Sequence, residues 1–208
     1  VSGGILNPAQ VKVARMKEIG YVRQKGVYSR MSRNEAYRKG IRVVDTRWLD
    51  INKGDDEHED YRSRLVAKDF NVGKEAGLFA ATPPLEAVKV LVSEAATLED
   101  EEEKWPGEGG ETEDDVIIML TDVARAFFEA DMIKELCVEI PTEDKTEEDW
   151  NRDNVGFLKK SLYGTRDAAA NFQREVRKVM TKNGFSIGKY NVSTYMHPDK
   201  NLKTLVHG

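Results

Sequence analysis

The sequence is poor in cysteine and histidine, with one cysteine, Cys137, and three histidines, His58, His197 and His207, in 208 residues. A single thiol excludes an internal disulfide framework and fits a reducing compartment. The histidines stand too far apart for the paired spacing of a zinc site. No apolar stretch approaches the ~20 residues needed to cross a bilayer, so no membrane association is expected. No basic, apolar and small-residue leader opens the chain. Its first residue is Val1 rather than Met, which reads as a piece of a longer protein. Two phosphate-binding signatures are also missing. "GEGGET" lacks a Gly-Lys-Ser/Thr ending, and no Gly-x-Gly-x-x-Gly occurs. "NKGDDEHED" carries acids and a glycine, but not at the positions of an EF-hand calcium loop. No Ser, His and Asp fall into a hydrolase-like pattern.

What is abundant is charge, unevenly placed. Charged side chains make up 33% of the chain and apolar ones 39%, enough for a core in one large domain or two small lobes. Residues 99–115 hold 10 acidic side chains and one lysine, a net −9 against −5 for the whole chain, so the remainder carries +4. Residues 1–70 have 15 basic and 10 acidic side chains, and 159–189 have 8 and 2. Basic regions flanking an acidic centre are compatible with a polyanionic partner, although a solvated surface is the simpler reading of charge alone.

The spacing of apolar and turn-forming residues predicts an α+β chain. Residues 8–24 read as a helix, with Asn7 as cap and Pro8 in the first turn. "GVYSRM" and "IRVVDTRWLDI" read as strands, and "NKGDDEHED" as a turn-rich loop. After Thr82-Pro83-Pro84, a helix carries Leu85, Val88, Leu91, Val92 and Ala95 on one face. The acidic stretch reads as a surface loop. Residues 116–121 read as a strand buried on both faces, with "ELCVEI" as its neighbour, and 144–154 as polar loop. "GFLKKSLYG" is expected to run as a strand into a turn at Gly164. A helix over 166–182 would then place Ala169, Phe172, Val176, Val179 and Met180 on one face and stop at Asn183-Gly184. Two strand-like runs around "HPDKN" predict a terminal hairpin.

Three blocks could carry chemistry. In "YRSRLVAKDF", strand alternation puts Arg62, Arg64, Val66 and Lys68 on one face and Tyr61, Ser63, Leu65 and Ala67 on the other. Cations projecting from one face suit a triphosphate or a nucleic-acid backbone; charges that guard an edge strand are the structural alternative. In "LTDVARAFFEADMIKELCVEIP", Asp122 ends an apolar run. Its carboxylate must be solvated, cap a helix or hold a cation. In "KKSLYGTRDAAANF", Gly164 allows a tight turn into a helix whose first N–H groups can face an anion.

In this order, and followed by "NGFSIGKYNVSTYMH", the blocks resemble the reverse transcriptase domain of copia-type (Ty/copia) retrotransposon polyproteins, from about Ile41 to the last residue. The resemblance implies a right-hand polymerase. Residues 1–40 would be a helical lead-in, 41–98 a fingers-like region, 99–115 an acidic loop and 116–208 a partial palm, with an antiparallel sheet backed by helices. It implies RNA-directed DNA synthesis from a primer on an RNA or DNA template, with deoxynucleoside triphosphates and two Mg2+ ions, in a cytoplasmic particle or the nucleus. Asp122 matches the family's first catalytic aspartate and metal ligand, and the Val123 carbonyl a further ligand. Phe127 matches the aromatic that crowds the sugar 2′ position. Arg62, Arg64 and Lys68 fall in the block facing the triphosphate, and Tyr163 and Gly164 in the turn beneath the nucleotide.

Two departures from the family stand out. "TRDAAANF" has Arg166 where the family carries Lys, but lacks the proline that follows, and the paired aspartates of the second catalytic block do not occur up to Gly208. One carboxylate cannot hold two divalent ions, so this segment alone is expected to be inactive. A non-catalytic nucleic-acid-binding fragment and an inactive relic are the alternatives.

Overall fold

The structure is a computed structural model and describes residues 6–55, 57–70, 80, 82–97 and 117–206; the acidic stretch 99–115 lies outside these. The architecture is mixed, with antiparallel sheets and helices, as an α+β chain requires. The chain forms two compact units, one from residues 1–79 and 125–175, the other from 80–124 and 176–208.

The first unit opens with helix α1, Pro8–Gln24. Its start follows from the sequence: the Asn7 side chain accepts a hydrogen bond from the Ala9 N–H at 3.0 Å, and Pro8 occupies the first turn, where an N–H has no helical partner. Ala14, Glu18, Ile19 and Val22 are its buried residues, a helical stripe that includes one carboxylate. Strand β1, Tyr28–Ser32, leads into helix α2, Arg33–Arg38, which Ser32 caps. The predicted run "IRVVDTRWLDI" breaks at Asp45 into β2, Val43–Val44, and β3, Thr46–Asn52. Strand β4, Tyr61–Ala67, pairs antiparallel with β3, with Leu49 opposite Arg64 and Ile51 opposite Arg62. The loop joining them is tied by Asn52, whose side-chain oxygen accepts from the N–H groups of Gly54 and Asp60.

A four-stranded sheet orders β1, β6 (Asn154–Leu158), β5 (Cys137–Val138) and β2. Its β2–β5 pair is parallel and the others are antiparallel. Val22, Val27, Phe128, Leu136, Val138, Leu158 and Leu162 form the main buried cluster against it. The stretch expected to be polar loop contains a helix, α4, Glu147–Asn151. Thr146 and Asp149 close a capping box there, and that box lets so short and acidic a segment hold a helical turn. Asp144 and Asp149, both buried, take up Arg23, Tyr28 and Arg30 at this end of the sheet.

Helix α5, Ala168–Lys182, begins in the first unit and ends in the second. It stops as the sequence predicts. Gly184, at φ 87°, and Phe185 donate back to the carbonyls of Thr181 and Met180, at 3.1 Å each, a Schellman closure. The second unit adds helix α3, Leu85–Thr97, and a three-stranded antiparallel sheet of β7 (Ser186–Ile187), β8 (Thr194–His197) and β9 (Leu202–Leu205). The predicted terminal hairpin is β8–β9, turned at Pro198–Lys200 with Asn201 in the left-handed region.

One expectation about this unit is corrected. Residues 117–121 are irregular, and Ile117, Ile118, Met119 and Leu120 are exposed rather than buried in a strand. A strand is held by ladder partners, not by its own apolarity, and among the described residues none pairs with this run. β5 pairs instead with β2 and β6. The helix expected after Thr82-Pro83-Pro84 is present as α3, with Leu85, Val88 and Val92 exposed and Leu91 and Ala95 half-buried.

Candidate functional site

The hairpin β3–β4 sets the first part of the site. Arg62 and Arg64 project to solvent, while Ser63, Leu65 and Ala67 are buried, as strand alternation predicts. Val66 breaks the pattern and is buried too, because the turn at Gly164 lies over it. The Ala67 N–H donates to the Tyr163 carbonyl at 2.7 Å. Gly164 sits at φ 80°, and a β-carbon there would stand 2.2 Å from the Ala67 carbonyl oxygen and 2.5 Å from Val66 Cγ1. Glycine is therefore demanded twice, by the left-handed backbone and by the close approach.

The Tyr163 ring gathers the other parts. The Arg64 guanidinium lies 5.3 Å from its centroid, a cation–π distance. Phe127 meets Tyr163 edge-on at 5.0 Å, and Phe172 at 6.3 Å. Phe128, fully buried, meets Tyr163 at 5.8 Å from within the core. The two adjacent aromatics thus divide their work: Phe128 anchors the short 3-10 turn Ala126–Glu129, and half-buried Phe127 lines the site. Blocks centred near residues 65, 127 and 164 come together within the first unit, bringing Arg64, Phe127, Tyr163 and Gly164 into contact, while Arg62 lies two residues earlier along β4.

The three cations Arg62, Arg64 and Lys68 differ in what they meet. Arg62 is paired with Asp60 at 2.8 Å, and Lys68 with Asp45 at 2.5 Å. The hydrogen bond from Lys68 holds the Asp45 carboxyl below the usual carboxylate range. Arg64 has no carboxylate partner among the described residues, so its charge is the one left for an anionic ligand.

Asp69 was not singled out in the sequence, yet it ties the blocks. Its buried carboxylate accepts from Arg42 after β1 and α2, and from the backbone N–H of Arg166 just past Gly164 at 3.1 Å. Only its place beside the apolar end of β4 hints at this role. Glu18 and Arg125 were missed as well. A carboxylate at a core position of an otherwise apolar helical stripe was the signal for Glu18.

Asp122 and Val123 belong to the second unit and are exposed. Asp122 does not cap a helix, since the 3-10 turn begins later and has Arg125 at its N-cap. Among the described residues, no three His, Cys, Asp or Glu side chains gather as metal ligands. One carboxylate and one carbonyl do not complete the oxygen shells of two Mg2+ ions, so these residues do not by themselves build the two-ion centre that the resemblance implies. No helix among the described residues is long and apolar enough to cross a membrane. Comparison with protein-family models, curated proteins and solved structures returns no match.

Proposed function

We propose that the chain is a fingers and partial-palm segment of a copia-type reverse transcriptase, and that its first unit receives a nucleotide and the template–primer beside it. One observation carries the reading: Arg64, Phe127, Tyr163 and Gly164, far apart in sequence, converge through ring and backbone contacts. A guanidinium without a carboxylate partner beside half-buried aromatic rings suits a ligand with phosphate and ring faces. Nucleotidyl transfer by two Mg2+ ions would need carboxylates beyond Asp122, so the activity expected of these residues alone is binding. That shortfall also favours the second reading, a non-catalytic nucleic-acid-binding fragment.

Fluorescence anisotropy with an RNA–DNA hybrid tests both. Affinity is expected to fall steeply as salt rises, and Arg64→Ala to weaken binding about tenfold and reduce the salt slope by about 1. Arg62→Ala, which removes an already paired charge, is expected to do less. Absence of binding at low salt, or an Arg64→Ala curve superimposed on that of the parent, overturns the proposal. Primer extension by a longer chain carrying the downstream residues separates the two readings. Extension that disappears in Asp122→Asn supports the polymerase, and none at all supports the binding fragment.

A further inference from the structure

We infer that Glu18 and Arg125 form an internal clamp that positions Phe127, which makes helix α1 part of the site's machinery rather than a lead-in. The functional consequence rests on the reading above; the positioning itself does not. Glu18 lies on the buried face of α1 with 2% exposure. Its Oε2 accepts from Arg125 Nε at 2.8 Å, while Oε1 has no hydrogen-bond partner among the described residues. The ion pair with Arg125 is thus the compensation this buried charge has, and a buried carboxylate without a cation is strongly disfavoured.

Arg125 is held on its other side by Tyr21, one helical turn after Glu18, whose ring centroid lies 3.5 Å from the guanidinium carbon. The two α1 side chains together fix the guanidinium in position and orientation. What they fix is an unusual backbone. Arg125 has φ 55° and ψ 43°, in the left-handed region that non-glycine residues seldom adopt. Such a conformation persists where the surroundings over-determine it.

Arg125 is also the N-cap of the turn Ala126–Glu129. Its carbonyl accepts from the Phe128 N–H at 2.8 Å. The left-handed residue therefore sets the direction in which the turn leaves, and with it the placement of Phe127 against Tyr163 and Phe172. Neither Glu18 nor Arg125 is among the groups assigned to a ligand. They are positioning residues.

Ring-to-ring nuclear Overhauser contacts between Phe127 and Tyr163, in selectively labelled full-length chain, read the positioning directly. RNA–DNA hybrid affinity reads its consequence. Glu18→Ala and Arg125→Ala are each expected to remove or weaken the ring contact and to weaken hybrid binding about tenfold, with the double variant no worse than either single one. Glu18→Gln, which keeps an acceptor for Arg125 Nε, is expected to restore the contact and most of the affinity. Should Glu18→Ala not fold, Arg125→Lys decides, because it keeps the charge at Glu18 but loses the planar Nε–H and the face laid on Tyr21. It is expected to displace the ring contact. An unchanged Phe127–Tyr163 contact in the alanine variants, or strictly additive effects in the double variant, overturns the clamp. If the parent chain fails to bind the hybrid, the functional reading falls, and the ring contact still decides the clamp.

Discussion

Replacing Asp149 with Ala is expected to lower the stability of the first unit by about 3 kcal/mol. Asp149 is fully enclosed, yet its carboxylate accepts from the Thr146 N–H at 2.9 Å, Arg30 Nε at 2.8 Å and Asn154 Nδ2 at 3.1 Å. Removing it leaves Arg30 with only its longer contact to Asp144 and that residue's carbonyl, opens the capping box of α4 and leaves the buried Asn154 amide short of an acceptor. Breaking a buried pair costs about 3–5 kcal/mol; Arg30 keeps 39% of its side chain in water, so the lower end applies. For a chain of this size the fall in Tm is roughly 6–12 °C. A calorimetric melt showing a loss of under about 2 °C would count against the account.

The same site predicts a pH dependence. Burial pushes the Asp149 carboxyl up, but the Thr146 N–H, Arg30, Asn154 and the Thr146 hydroxyl outweigh it and hold the carboxyl far below its ordinary value. A group whose folded value is depressed contributes stability above its unfolded value, near 4, and loses that contribution as pH falls toward the folded value. The Tm gap between the parent and Asp149→Asn should therefore be full at pH 6 and shrink on acidification below about pH 4. A gap that widened in acid would reverse the sign and refute the assignment.

Gly164→Ala is expected to have the largest effect on the site. The left-handed backbone costs an alanine roughly 1–2 kcal/mol. The added carbon must also move the Ala67 carbonyl, 2.2 Å away, which belongs to a strand and cannot rotate aside. The Ala67–Tyr163 hydrogen bond and the Arg64–Tyr163 stacking should be lost together, with hybrid binding reduced beyond that of Arg64→Ala. Gly26→Ala is the control. It has φ 60° and nothing within 4 Å of an added carbon, so it should cost only the backbone preference, roughly 1–2 kcal/mol. Equal urea midpoints for the two variants would show that the close approach at Gly164 contributes nothing.

Local features of the fold were legible because their causes are local. Asn7-Pro8 fixes where α1 starts and Asn183-Gly184 where α5 stops, since each satisfies backbone groups within a few residues. Alternation in β4 placed Arg62 and Arg64 outward up to Val66, where a distant turn intervened. Residues 117–121 were misread because an apolar run is a strand only when other strands pair with it. In α4, so few residues show no helical period, and only the cap reveals the helix.

By itself, then, the sequence determined where α1 starts and α5 stops, the terminal hairpin, the outward arginines of β4 and the turn at Gly164, because caps, turns and alternation act over a few residues. Only the tertiary structure decided that residues 125–175 return to the unit built by 1–79, that Lys68 and Arg62 are neutralised while Arg64 is not, and that Glu18 reaches Arg125. Glu18 and Arg125 meet across 107 residues of chain and Lys68 and Asp45 across 23, and even the neighbouring Arg62–Asp60 pair depends on how the β3–β4 loop is tied, so no local periodicity encodes these meetings.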